Sequence, residues 1–215
     1  GLYEIFAQAT DSRIIIATFS SLLARLQEIM RLADKYGRKV ALTGRSLQQN
    51  VELAATLGYL EIPKGLIVDI TTSVPNDKLV ILSTGSQGEP RSALNRMAKG
   101  EHKQVQVHEG DTIIVSGGTI PGNEEDVGRM LNNLFARGAN VIYGPLATVH
   151  VSGHGSREDM RIMLEKVQPK FLIPVHGEMR HQHLHSRLAQ DNGMMAENVF
   201  ILSNGNSWIT DGETA

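Results

Sequence analysis

Short β-branched runs alternate with segments of helical spacing along most of this chain, and few folds accept that pattern. The runs are Arg13-Ile14-Ile15-Ile16-Ala17-Thr18, Lys39-Val40-Ala41-Leu42-Thr43, Leu79-Val80-Ile81-Leu82-Ser83, Thr112-Ile113-Ile114-Val115-Ser116 and Asn140-Val141-Ile142-Tyr143. Such continuous runs suit strands covered on both faces. Between them Leu22, Leu23, Leu26, Ile29, Met30 and Ala33 recur at helical spacing, with Ser20-Ser21 as the expected cap and Gly37 as the stop. Ser46 is expected to cap a helix over Val51, Leu53, Ala54 and Leu57, Pro90 to open one through Ala98, and a further helix to run to Arg137. Residues 59–77 read as turn-rich. Repeated βα units predict a mostly parallel sheet with helices on both faces. Beyond about residue 170 the character changes. Lys170–Pro174 reads as a strand and Arg180–Gln190 as a helix. Val199–Leu202 and Ser207–Thr210 flank Asn204-Gly205, the signature of a β-hairpin.

Composition narrows the function. A chain of 215 residues with 41% hydrophobic side chains supports one large domain, or one domain and part of another. The net charge of −2 supplies no global field for nucleic acid, so any such contact is local. The absence of cysteine excludes disulfides and thiolate metal sites and fits a reducing, cytoplasmic setting. No apolar run has the length of a membrane span. The N-terminus lacks the basic segment of a signal peptide and reads as the interior of a longer sequence.

Site candidates gather where strands end. Ser152-Gly153-His154-Gly155-Ser156 sets two hydroxyls and an imidazole around two glycines, which suits phosphodiester contact and proton transfer; the alternative is a structural histidine. Pro174-Val175-His176-Gly177-Glu178 ends its strand in a histidine able to ligate zinc, with a carboxylate beside it. One histidine does not complete a tetrahedral site, and no His-Glu-x-x-His motif accompanies it. His181 and His185 are four apart and able to meet on one ion, but with His183 they read mainly as a solvated helix face. Thr84-Gly85-Ser86-Gln87-Gly88-Glu89-Pro90 follows a strand and precedes a helix, with Ser86 and helix-start amides as phosphate donors or simply as an ordinary βα turn. Gly44-Arg45-Ser46 offers a guanidinium fork, for which a solvated arginine is the simpler reading. Gly117-Gly118-Thr119-Ile120-Pro121-Gly122-Asn123-Glu124 reads as backbone shape.

Taken in order, these motifs resemble the ribonuclease J family of metallo-β-lactamase/β-CASP nucleases. The resemblance rests on residues 16–21, Gly37–Val40, Gly44–Ser46, Ser83–Pro90, Gly110–Thr112, Ile120–Asn123, His150–Ser156 and Lys170–Glu178. It implies an α/β fold: a three-layer β-CASP domain over residues 1–168, then a C-terminal segment of a metallo-β-lactamase αβ/βα domain over 169–215. It implies that His154 and Glu89 are catalytic motif residues, and that Arg45, Ser86, Gln87, Ser152, Gly153, Gly155 and Ser156 bind substrate phosphates. His176 would join a two-zinc centre in the intact enzyme only. The implied partners are single-stranded RNA with a 5′ monophosphate, an N-terminal lactamase half and a second copy in a homodimer. The main zinc motif of the family, His-x-His-x-Asp-His, is missing. The chain alone is therefore expected to hold no catalytic metal and to be inactive. A non-catalytic α/β nucleotide-binding module is the alternative, but no Gly-x-Gly-x-x-Gly opens the first helix and no lysine follows the glycines as in a P-loop. A purely structural or interaction domain ranks third.

Overall fold

The computed structural model describes residues 1–144 and 155–213, and the chain divides into two compact units, Gly1–Val151 and Ser152–Ala215. The helix at Arg157–Val167, grouped by sequence with the first domain, lies in the second unit.

The first unit is an α/β sandwich. Strands β1 (Ile14–Thr18), β2 (Lys39–Thr43), β3 (Ile67–Val68), β4 (Leu79–Ser83), β5 (Thr112–Ser116) and β6 (Asn140–Ile142) form one sheet in the order β3-β2-β4-β1-β5-β6. Every pairing is parallel. The three central strands are buried along their whole length, which explains their uninterrupted apolar sequences. Alternate residues feed opposite faces. Ile14, Ile16, Val80, Leu82 and Ile114 join one core, and Ile15, Ala17, Ile81, Ile113 and Val115 the other. Helices α1 (Leu2–Gln8), α2 (Leu23–Lys35) and α3 (Arg45–Thr56) cover the first core; α4 (Ala93–Lys99) and α5 (Glu124–Ala136) cover the second. Neighbouring strands β4 and β1 thus send their chains to opposite faces, the arrangement at which open α/β sheets place ligands beyond the carboxyl ends of their strands.

At the amino edge of the sheet, Arg13 and Asp111 form a buried pair. Arg13 Nε and an Nη atom donate to the two carboxylate oxygens at 3.1 and 2.5 Å, the same Nη donates to the Gln106 carbonyl at 2.6 Å, and the His108 amide donates to Asp111 at 2.8 Å.

Several helix starts differ from expectation. Ser20 and Ser21 do not cap α2, whose N-cap is Leu22; Ser20 Oγ instead accepts from Asn50 Nδ2 at 3.1 Å. The N-cap of α3 is Gly44, so Ser46 sits inside the first turn. Helix α4 begins at Ala93 because Ser92, not Pro90, is its cap, accepting from the Asn95 amide. The short elements α1 and β3 were not anticipated.

The second unit holds α6 (Arg157–Val167) and α7 (Met179–Asp191). The strand expected at Lys170–Pro174 is reduced to one parallel bridge, Leu172 with Val199. The expected hairpin is only a turn: the Asn206 amide donates to the Ser203 carbonyl at 3.0 Å, and no ladder flanks it among the described residues. An extended segment needs a neighbour to become a strand, and two lone segments do not make a sheet. Phe171 packs edge to face on Phe200 and Trp208, which tilt against each other, with centroids 5.4–6.1 Å apart.

Candidate nucleic-acid interface at the carboxyl edge of the sheet

Three loops meet at the carboxyl edge of the first unit. They leave β2 (Gly44-Arg45), β4 (Thr84–Pro90) and β5 (Gly117–Asn123). Glycine lets them touch. A Cβ on Gly44, whose φ is +107°, would stand 2.8 Å from Thr84 Oγ1, and one on Gly117 would stand 3.2 Å from the Ser86 Cβ. A Cβ on Gly88 would meet the Asp126 backbone at 2.6 Å, so the β4 loop lies directly on the start of α5. A larger side chain at any of the three would force the loops apart.

Side chains complete the cluster. Gln87 is buried, with its amide bonded at both ends to the β5 loop: Nε2 donates to the Gly118 carbonyl at 2.8 Å, and Oε1 accepts from the Ile120 amide at 2.8 Å. Asn95 Nδ2, from α4, donates to the Gly88 carbonyl at 2.7 Å and the Glu89 carbonyl at 3.2 Å. Ser86 is buried against Gly117. Glu89 is exposed and its Oε2 accepts from the Gln87 amide at 3.2 Å. Arg45 is exposed at the first position of α3, a helix with no side-chain cap, and it forms no ion pair among the described residues. A free guanidinium beside uncapped helix amides is a favourable place for an anion.

Sequence reading missed four residues of this edge. Asn95 is one. Thr18, at the end of β1, is buried and its Oγ1 has no hydrogen-bond partner. Thr43, at the end of β2, shares a 3.0 Å hydrogen bond with Nε2 of buried His102. His102 Nδ1 accepts from the Gln104 and Val105 amides at 3.3 and 3.1 Å, which assigns the proton to Nε2. Burial first, and the charge of Arg96 second, push the His102 pKa below its ordinary value. These contacts join residues far apart in sequence, so no local pattern signals them.

Ser152, Gly153 and His154 lie outside the described residues. Gly155 and Ser156 sit at the start of α6 in the second unit, where Ser156 forms a capping box. Its Oγ accepts from the Asp159 amide at 3.2 Å and donates to Asp159 Oδ2 at 2.8 Å, and its own amide donates to the same oxygen at 2.8 Å. The bonds from Ser156 hold the Asp159 carboxyl below its ordinary pKa. His176 is exposed and left-handed, with φ +70°, and Gly177 follows at +76°. A non-glycine residue held there is uncommon and often functional. His181 Nδ1 accepts from the Glu178 amide at 3.0 Å, which fixes the ring at the start of α7.

As for zinc, no three histidine, aspartate or glutamate side chains come together among the described residues. A zinc site takes about four ligands. The described residues do not fit one by themselves. No helix among them is long and apolar enough to cross a membrane.

Fold and edge together define a class: a parallel α/β domain with a tight, glycine-built loop cluster and a free cation where its strands end. Comparison with known proteins specifies it. Residues 11–134 match the ribonuclease J β-CASP domain family, and residues 139–202 match the Zn-dependent metallo-hydrolase RNA specificity domain family. The chain belongs to the ribonuclease J family of β-CASP proteins. It is 42% identical to ribonuclease J of Synechocystis over 95% of its length, 41% identical to ribonuclease J 1 of Streptococcus pyogenes over 92%, and 40% identical to ribonuclease J2 of Bacillus subtilis over 91%. It covers 32%, 36% and 36% of those proteins, so it spans about a third of their length.

Proposed function

We propose that this chain is the RNA-gripping part of a zinc-dependent ribonuclease that acts in the cytoplasm as a 5′-to-3′ exonuclease and endonuclease in RNA processing and decay. The observation that carries this is the carboxyl-edge cluster, where Arg45 and the uncapped start of α3 adjoin the loop bearing Ser86. Guanidinium, hydroxyl and amide groups are the donors that phosphates select. In this reading Arg45, Ser86 and Gln87, with Ser152, Gly153, Gly155 and Ser156, serve the phosphates of a single-stranded RNA carrying a 5′ monophosphate. His154 binds or protonates the phosphodiester, and Glu89 is the acidic partner in the catalytic motif. Zinc chemistry belongs to a lactamase half outside this chain, toward which His176 supplies one donor. The full enzyme works as a homodimer, and this chain alone binds without cleaving.

The test is binding of a short 5′-monophosphorylated single-stranded RNA to the chain at several salt concentrations, with cleavage followed with and without zinc. Ser86→Ala and His154→Ala should each weaken binding about tenfold, a difference near 1.4 kcal/mol. Undiminished binding by both variants would defeat the assignment, and zinc-dependent cleavage would defeat the claim of inactivity.

A further inference from the structure

The Gln87 side chain has both of its polar atoms engaged within the protein. It is buried, both ends of its amide are bonded to the backbone of another loop, and an amide offers one acceptor oxygen and one donor nitrogen of the kind a strand uses. It therefore acts as a two-point bridge between the β4 and β5 loops. On its own loop, the Gln87 backbone amide donates to Glu89 Oε2, and Asn95 Nδ2 donates to the Gly88 and Glu89 carbonyls. Ser86, one residue before Gln87, is pressed against Gly117, one residue before the Gly118 carbonyl that Gln87 holds. The bridge and this contact are neighbours on both loops. A shift of the β5 loop at Gly118 therefore also moves Gly117, the residue that lies beside Ser86.

We infer that Gln87 is a positioning residue. It locks the β5 loop to the β4 loop so that Ser86 is held ready for a phosphate, and it makes no contact with RNA itself. This rests on the phosphate-binding reading of Ser86 proposed above and alters the role given there to Gln87. Removing a preformed geometry costs affinity even when every contacting group survives.

The test uses Gln87→Met, which keeps bulk and removes both hydrogen bonds, and Gln87→Glu, which keeps the acceptor for Ile120 but sets a carboxylate against the Gly118 carbonyl. Hydrogen exchange should show the Ile120 amide losing about tenfold protection in Gln87→Met while the β5 amides keep theirs. Affinity for 5′-monophosphorylated RNA should fall about tenfold, and adding Ser86→Ala should cost less than about twofold more, since both changes remove one arrangement. Relative to wild type at each pH, Gln87→Glu should recover affinity in acid, where a protonated carboxyl restores the donor to Gly118; Gln87→Met should not. Losses that add fully with Ser86→Ala, or no acid recovery, would overturn the positioning role. Unchanged Ile120 exchange would overturn the bridge. Failure of the wild type to bind RNA would instead sink the phosphate-binding reading and leave the bridge to be judged by exchange alone.

Discussion

The two units use the same kind of sequence and reach different ends. In the first, the run Ile14–Thr18 finds β4 on one side and β5 on the other, and each of its residues is buried. In the second, Phe171-Leu172-Ile173 is equally apolar yet gains a single bridge. Helix α2 buries Leu26, Ile29, Met30, Leu32 and Ala33, whereas α6, of similar amphipathic pattern, buries nothing and leaves Ile162, Met163 and Val167 exposed. Apolar periodicity proposes an element, and a neighbouring surface decides whether it is completed.

The sharpest way to break this contrast is to damage each unit in turn. Asp111→Ala leaves the Arg13 guanidinium buried without its partner. It should cost the first unit about 3–5 kcal/mol, read by urea unfolding under circular dichroism. The single tryptophan, Trp208, lies in the second unit, so its fluorescence should register the change little. A parallel shift of both signals would mean that the units unfold as one.

A smaller effect comes from pH. His102 is held neutral in the fold, faced by Thr43, the Gln104 and Val105 amides and Arg96, with its pKa lowered by burial and then by Arg96. The unfolded chain therefore binds more protons in acid. Stability is complete above the ordinary value of 6.5 and declines as pH falls below it toward the folded pKa. The gap in stability between the wild type and His102→Gln should be constant well above pH 6.5 and narrow as pH falls below it. A gap that stays constant below pH 6.5 as well would show that the ring does not titrate on unfolding.

The smallest effect is expected on α6. Replacing Ile162, Met163 and Val167 with glutamine should change stability by no more than about 0.5 kcal/mol each, because all three are exposed. Light scattering should show less self-association at high concentration, since an exposed apolar face associates. A loss of several kcal/mol would show that α6 has a packed face after all.

How much of this was legible in the sequence follows the same rule. Five of the six strands were readable because burial on both faces leaves β-branched runs, and β3 was not because two residues carry no period. The Thr84–Pro90 loop was visible as a candidate, but its workings were not. Gln87 meets Gly118 31 residues on, and His102 meets Thr43 59 residues back. Asn204-Gly205 correctly marked a turn, since Gly205 has φ +93°, but a turn signal is local and a hairpin also needs strands that pair.

The most direct measurement of the central claim is the salt dependence of RNA affinity for the wild type and Arg45→Ala. If Arg45 grips a phosphate at the carboxyl edge, the slope of log affinity against log salt should shrink by about 0.7 for a single strand when the guanidinium is removed. An unchanged slope, with binding otherwise intact, would place the RNA elsewhere on the molecule and contradict the account.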